Sequence, residues 1–285
     1  MRYKRPYEPG VYPNLPYEDY DAIDAYRRTV ILEGRRSLEH LRYSDEEGIT
    51  EETEALDFGS SLHCAVLEPD RFDSTVVLGD INPKTGEPYG AETDKQAKFR
   101  AANPGKIVVA KGYREKLIGM GSAIRNHPRA GVLIRAAQQT ELTVVWDDAP
   151  TGVRCKVRLD AFLDGGLGLV DLKSTTDASP QAFPRSLYSY GYHIQAAMSI
   201  DAWKSVHPGE PEQPFIIIAV EKEPPYAVAC YVIGDDSIAI GRQEYREVLH
   251  GIAKARRTGI WPSYPIDIMQ VDIPEWARKR FTDAA

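Results

Sequence analysis

Apolar and polar positions divide the chain into a helical first part and a strand-rich second part. Up to about residue 135 most apolar residues recur at helical spacing, and predicted helices cover 20–33, 37–42, 54–67 and 111–126. Between about 136 and 260, short apolar runs predict strands at 141–146, 155–163, 167–173, 215–221 and 226–233, with helices at 192–206 and 235–258. An aromatic and proline-rich tail follows over 261–285. The pattern predicts an α/β (α+β) chain, and its 285 residues fit one large domain or two small ones.

Two of these strands, joined by a glycine turn, contain a compact group of charged side chains. The runs 155–163 and 167–173 flank Asp164-Gly165-Gly166, and a glycine pair suits the positive-φ positions of a tight hairpin. Side chains alternate along a strand, so Asp171 and Lys173 face the same side while Leu172 between them points into a core. Folding the hairpin brings Asp160 towards Asp171.

Two carboxylates beside an ammonium group, on rigid strands, can hold a hard cation and a phosphate. Magnesium prefers carboxylate oxygens and keeps several waters, and a lysine can orient a water and offset charge on an attacked phosphate. The alternative is a surface hairpin whose Asp–Lys pair is only solvated. The second strand is otherwise apolar, and charged side chains within such a run need a partner, so the metal site is a real candidate.

A histidine on the predicted helix 54–67 is a second candidate. His63 lies off the apolar stripe of that helix and one turn after Gly59, where a missing side chain leaves room for a ligand or another backbone. It is either a hydrogen-bonded structural residue or a metal ligand, and a nearby carboxylate site favours the ligand. Glu141, at the start of the strand 141–146, could point towards the same site or into solvent.

Residues 84–116 form a locally basic segment with eight basic and four acidic side chains, in a chain whose net charge is −7. Aromatic side chains stand among the cations, and this mixture suits a phosphate backbone and unstacked bases. Lys95, Lys98 and Arg100 are therefore candidate DNA-binding residues. The alternative is an ordinary surface of mixed charge.

Composition sets the cellular context. The net charge argues against a protein that coats nucleic acid, although it leaves a local basic cleft possible. Three cysteines, far apart and set in apolar runs, indicate buried thiols in a reducing compartment. We find neither a run long enough to span a bilayer nor the apolar core of a signal peptide, so we expect a soluble, intracellular protein without a membrane partner.

Four motifs in this order resemble the PD-(D/E)XK nuclease superfamily, and more closely the RecE, or exonuclease VIII, type of phage recombination nuclease. They are FGSSLHCAVLEPDRF (58–72), KVRLDAF (156–162), GLVDLKST (168–175) and YHIQAA (192–197). The resemblance extends over about residues 15–260 and implies that the chain is a single domain with a central mixed β-sheet flanked by helices. It further implies a magnesium ion held by His63, Asp160, Asp171 and the Leu172 carbonyl, with Lys173 as catalytic lysine and Gln195 near the scissile phosphate, so that the catalytic group is Asp160, Asp171, Lys173 and Gln195.

The resemblance also implies an activity. We expect a magnesium-dependent DNA exonuclease, with manganese as a substitute, that degrades linear duplex DNA from 5′ ends and leaves 3′ overhangs for a single-strand annealing protein. Such proteins often form ring-shaped homo-oligomers, and a phage or prophage origin would place this one in the cytoplasm of a bacterial host. A neutral His63 ligand implies activity that rises with pH. The alternatives are a structure-specific or restriction-type endonuclease and a non-catalytic DNA-binding protein that keeps the fold.

Two positions depart from the pattern of these relatives. Leu159 stands where the superfamily name has proline, a structural position that leaves the chemistry intact. Ser199 stands where relatives often have a tyrosine, four residues after the glutamine. The ring that helps to place DNA is then either missing or supplied by Tyr188, Tyr190 or Tyr192.

Overall fold

The computed structural model describes residues 5–47, 54–79, 93–110, 112–275 and 278. Within these ranges the strands are β1 (Gly10–Tyr12), β2 (Val76–Gly79), β3 (Ile107–Ala110), β4 (Gln139–Asp147), β5 (Arg154–Leu163), β6 (Gly168–Thr175), β7 (Phe215–Glu221) and β8 (Val228–Val232). The helices are α1 (Tyr17–Ala22), α2 (Arg28–Arg36), α3 (Leu38–Glu47), α4 (Glu54–Leu67), α5 (Phe72–Thr75), α6 (Asp94–Ala101), α7 (Tyr113–Asn126), α8 (Ala130–Ala136), α9 (Phe183–Ser189), α10 (Tyr192–Val206) and α11 (Asp235–Thr258), with a 3₁₀ turn at Pro69–Arg71.

The main sheet is mixed and has the strand order β1-β4-β5-β6-β7-β8. Neighbouring strands are antiparallel except β6 and β7, which are parallel because α9 and α10 connect them. Strands β2 and β3 form a separate parallel pair. Helices cover both faces of the main sheet, so the predicted fold class, a central mixed β-sheet flanked by helices, is confirmed.

Both faces of the sheet are buried, which explains the nearly continuous apolar runs of its strands. On one face, Leu169 and Ile217 pack in a core with α10, α11 and α2. On the other face, Val170 and Ile216 pack in a second core with α4, α7 and α8. The site residues therefore lie between two apolar layers that fix the strands in place.

The hairpin of β5 and β6 forms as the glycine pair predicts. Gly165 and Gly166 adopt φ values of 68° and 76°, a region that favours glycine because it has no Cβ. Beyond the turn Ala161 pairs with Val170, and the next residues along the two strands are Asp160 and Asp171. The short turn therefore fixes the register that brings the two carboxylates to the same level of the sheet.

The structure corrects the prediction of one helix over 20–33. The chain instead forms α1 and α2, and the residues between them make isolated bridges, one to Arg5 and one to Cys155 of β5. The Tyr26 amide donates to the Arg154 carbonyl, and the Lys156 amide donates to the Tyr26 carbonyl, both at 2.9 Å. These long-range bonds take the backbone groups that a continuous helix would use. None of the helices in the described parts of the chain combines the length and the apolar character needed to cross a bilayer.

Candidate active site

The side chains of His63, Asp160, Asp171, Lys173 and Gln195 meet around the backbone of Leu172. Asp160 accepts a hydrogen bond from the Leu172 amide at 2.7 Å. His63 Nε2 lies 2.8 Å from the Leu172 carbonyl oxygen, and its Nδ1 lies 3.4 Å from Asp160 Oδ2. Helix α4 thus lies over the sheet and connects its histidine to both strands of the hairpin.

Asp171 is the centre of a second set of contacts. Its Oδ1 accepts a hydrogen bond from Gln195 Nε2 at 2.5 Å, and its Oδ2 lies 2.6 Å from Lys173 Nζ. The Lys173 ammonium also lies 5.2 Å from the centre of the Tyr192 ring. Because Asp171 is only 2% exposed, these contacts supply the partners that a buried carboxylate requires.

Glu141 is the residue whose place the sequence left open, and the structure brings it to the site. Its Oε2 accepts a hydrogen bond from Arg158 Nε at 2.5 Å, while its Oε1 lies 3.9 Å from His63 Nδ1. Glu141 has a φ of 53°, which is uncommon for a residue with a side chain. A positive φ at a glutamate has no sequence signature, so the strand pattern could name Glu141 as a candidate but could not decide its direction.

Asp160 on β5 and Glu141 on β4 lie opposite each other, at a point where the two strands depart from regular β geometry. Leu159 packs in the core on one face and Ala161 in the core on the other, although strict alternation would place both on the same face. On β4, Thr140 pairs with Ala161 and Leu142 pairs with Leu159, so Glu141 lies across from Asp160. The irregularity turns both carboxylates towards His63.

Burial and charge pairing shift the pKa values of the site in opposite directions. Burial alone would lower the pKa of His63, but the carboxylates of Asp160 and Glu141 outweigh it and raise that pKa to about 9. Burial would raise the pKa of Asp160, but the nearby His63 and Lys173 hold it below its usual value. Burial raises the pKa of Asp171, and burial together with the charge of Asp160 raises that of Glu141. A proton on His63 and a divalent cation therefore compete for the same carboxylates.

The donor set fits a hard divalent cation. One ligand atom each from His63, Glu141 and Asp160 lies within 4.8 Å of the others. Among the described residues, Gln195 Oε1 is buried without a hydrogen-bond partner, whereas Asp171 Oδ2 has the Lys173 ammonium as its ion partner. Buried oxygens of this kind normally have a partner, and a metal ion with its waters would supply one.

The tyrosine expected four residues after Gln195 is replaced by Ser199, which is 2% exposed and faces the core beneath α10. An aromatic ring is nevertheless present at the site, because Tyr192 packs against Lys173. Arg28 on α2 lies 5.9 Å from the centre of the same ring. Of the three tyrosines proposed as substitutes, Tyr192 is the one that contacts Lys173 of the candidate site.

The described part of the basic segment, residues 93–110 and 112–116, lies beside α4 rather than within the site. Lys95 and Lys98 are exposed on α6, and Arg100 forms an ion pair with Asp57 of α4. Asp57 precedes His63 by six residues, about 9 Å along the helix axis. The part of this segment from 84 to 92 lies outside the described residues. The DNA-binding role of Lys95, Lys98 and Arg100 stays a prediction.

Sheet, hairpin and charged centre together define a PDDEXK-like fold, and comparison with known proteins agrees. Residues 35–270 match the model of the family described as "PDDEXK-like domain of unknown function (DUF3799)". The chain belongs to this family, which confirms the predicted membership of the PD-(D/E)XK superfamily.

Two solved structures extend the comparison. A crystal structure of a candidate exonuclease from Eubacterium rectale matches with a TM-score of 0.58 and 13% sequence identity, over 90% of this chain and 92% of the other. This similarity shows a shared fold. The structure of a protein named SSO0001 gives a TM-score of 0.29, at 14% identity over 54% of this chain and 68% of the other, too low to indicate one. The curated proteins contain no match.

Proposed function

We propose that the protein is a magnesium-dependent deoxyribonuclease that degrades linear double-stranded DNA from its 5′ ends and leaves 3′ overhangs. The observation that carries this proposal is the meeting of Asp160, Asp171 and Lys173 with His63 around one buried point of the sheet. The family described as PDDEXK-like and the structural similarity to a candidate exonuclease support it. The end-directed action rests on the resemblance to RecE-type nucleases.

The residues of the site would have separate roles in phosphodiester hydrolysis. Asp160 and Asp171, with the Leu172 carbonyl, His63 and Glu141, are the groups that would hold the cation. When bound, magnesium supplies a Lewis acid that polarises the phosphate and lowers the pKa of a water molecule.

Lys173 is fixed between Asp171 and the Tyr192 ring, so its ammonium group can orient the attacking water and offset charge on the phosphate. Gln195 holds Asp171 through Nε2, which leaves its Oε1 to accept a hydrogen bond from that water.

The proposal extends to the setting in which the enzyme acts. The 3′ overhangs would be the substrate of a single-strand annealing protein in phage-type recombination, in the cytoplasm of a bacterial host. A ring-shaped homo-oligomer would keep a DNA end enclosed during repeated cleavage. Both statements rest on the resemblance, and light scattering of the purified protein tests the oligomer.

Labelled DNA tests the activity and its direction. The protein is incubated with magnesium and linear duplex labelled at the 5′ or the 3′ end, and with closed circular duplex. We expect early release of the 5′ label as mononucleotides, persistence of the 3′ label in long fragments, and intact circles. Nicked circles would show an endonuclease, and no cleavage of any substrate would leave a DNA-binding protein with a nuclease fold.

A further inference from the structure

The segment Tyr188–Tyr192, which we call the tyrosine turn, connects α9 to α10 and presents two bare aromatic rings. Tyr188 and Tyr190 are 58% and 60% exposed. Tyr188 is held in place by stacking on His193, with ring centres 5.4 Å apart. More than half of each of these two side chains is therefore accessible to a ligand, and Tyr188 is supported by the histidine ring on which it stacks.

The tyrosine turn is continuous with the catalytic centre. Tyr192 lies 5.2 Å from Lys173 Nζ, and its ring centre lies 5.6 Å from that of Tyr190. A ligand that contacts Lys173 and continues past Tyr192 would next meet the Tyr190 ring. The exposed rings thus extend the surface of the site rather than forming a separate patch.

Two arginines of α2 accompany the rings. Arg28 lies 5.9 Å from the Tyr192 ring centre and donates a hydrogen bond to the Tyr190 carbonyl at 2.8 Å. Arg35 lies 5.5 Å from the Tyr188 ring centre. Seven residues separate the two arginines, about two helical turns, so both guanidinium groups project from the same side of α2. Cations and aromatic rings therefore lie together along one strip, in which Arg35 also pairs with the Glu244 carboxylate at 3.2 Å.

This combination matches the chemistry of unpaired nucleotides. In a duplex the faces of the bases are stacked on each other, whereas an unpaired base can stack on a protein ring and leave its phosphate for a neighbouring cation. We propose that the tyrosine turn, with Arg28 and Arg35, binds the single strand next to the scissile phosphate. This inference rests on the proposed function, since it takes the strand to be one that the site cleaves.

Binding of a short single strand without cleavage tests the inference. The probe is fluorescein-labelled oligothymidylate in EDTA, and affinity is measured by fluorescence anisotropy. Stacking on one ring predicts that Tyr190→Ala weakens binding by about 5- to 150-fold. Tyr190→Phe keeps the ring and should bind within about twofold of the wild type on the same stacking argument. Tyr43→Ala, at a position on α3 that is 61% exposed, is the matched control and should have no effect.

The outcomes separate this inference from the proposed function. Equal affinity of Tyr190→Ala and wild type, or no binding of the strand by an enzyme that does cleave DNA, would overturn the inference and leave the nuclease intact. Tyrosine-dependent binding by a protein that cleaves no DNA would overturn the proposed nuclease, and with it the scissile phosphate, and would leave the tyrosine turn as a single-strand binding site only. If Tyr190→Ala instead lowers the molar mass in light scattering with binding unchanged, the tyrosine turn is a contact between copies, and the inference is wrong.

Discussion

At the residue scale, Glu141 is the carboxylate that the structure adds to the candidate metal site. Arg158 holds one of its oxygens, and the other faces His63. We predict that Glu141→Gln weakens binding of magnesium or manganese by at least the roughly tenfold that even an outer-shell partner costs. Titration calorimetry with manganese measures the affinity, and Glu39→Gln on α3 is the control. Unchanged affinity in Glu141→Gln would show that this carboxylate only pairs with Arg158.

The pKa of His63, about 9, predicts how metal affinity depends on pH. Below that value a cation must displace the proton, so apparent affinity should rise about tenfold per pH unit and level off above pH 9. The sign follows because the bound proton is lost as pH increases. His63→Gln should flatten this dependence while the protein stays folded. The same slope in wild type and His63→Gln would assign the proton to another group.

The sequence predicted which side chains meet at the candidate site better than it predicted the surroundings of those side chains. Spacing on two short strands and the hairpin turn between them sufficed to bring Asp160, Asp171 and Lys173 to one place. Gln195 and the Leu172 carbonyl came from the resemblance, and the structure places both beside Asp171. The sequence could not decide whether Glu141 points into the site, because its direction depends on a backbone angle. It could not single out Tyr192 either, because the contact of this ring with Lys173 depends on the packing of α10.

At the element scale, the long helices were predicted closely and the N-terminal ones were not. Predicted bounds of 54–67, 192–206 and 215–221 coincide with α4, α10 and β7. Each of these elements has a strong internal pattern. The segment 20–33 failed because its middle is held by backbone bonds to β5, 130 or so residues away, and such long-range bonds have no local signal.

Contact between α10 and α11 predicts a sharp difference between two glycines of α11. A Cβ at Gly241 would lie 2.3 Å from the backbone oxygen of His193, whereas at Gly251 it would meet the flexible side chain of Leu38 at 2.8 Å. Overpacking against a backbone costs about 1–3 kcal/mol, and alanine in a helix gains up to about 1 kcal/mol over glycine.

We therefore expect Gly241→Ala to lower the free energy of unfolding and Gly251→Ala to leave it nearly unchanged. Urea denaturation measures both. Because α10 holds Gln195, Gly241→Ala should also reduce cleavage. Equal free energies of unfolding for the two variants would mean that α10 shifts away from the added methyl group of Gly241→Ala without loss of stability.

At the scale of the whole molecule, the order of the strands could not be read from the sequence. The parallel neighbours β6 and β7 are separated in sequence by α9 and α10. Strand β1, near the N-terminus, pairs with β4 in the middle of the chain. The short pair β2 and β3 was also missed, since four-residue strands have too little pattern to detect.

The distribution of charge predicts how DNA binding responds to salt. Lys95 and Lys98 are exposed on α6, and Arg100 of the same helix pairs with Asp57. Each lost phosphate contact lowers the slope of log K against log salt by about 0.9, so Lys95→Gln with Lys98→Gln should lower it by up to about 1.8. Lys254→Gln, on the helix layer across the sheet, is the control. Equal slopes of log K against log salt for the double variant and the wild type would show that these two lysines of α6 do not contact DNA.

The most direct test of the account is cleavage of linear duplex DNA by Asp171→Asn in magnesium. The substitution keeps the shape of the side chain but removes the charge that pairs with Lys173 and would hold the cation. Asp164→Asn, in the exposed hairpin turn of the same strands, is the matched control. We predict loss of cleavage by at least about a hundredfold in Asp171→Asn, as when one such electrostatic group is removed, with an unchanged melting temperature and full activity in Asp164→Asn. Full magnesium-dependent cleavage by a folded Asp171→Asn would contradict the proposal that Asp171 holds the cation for cleavage.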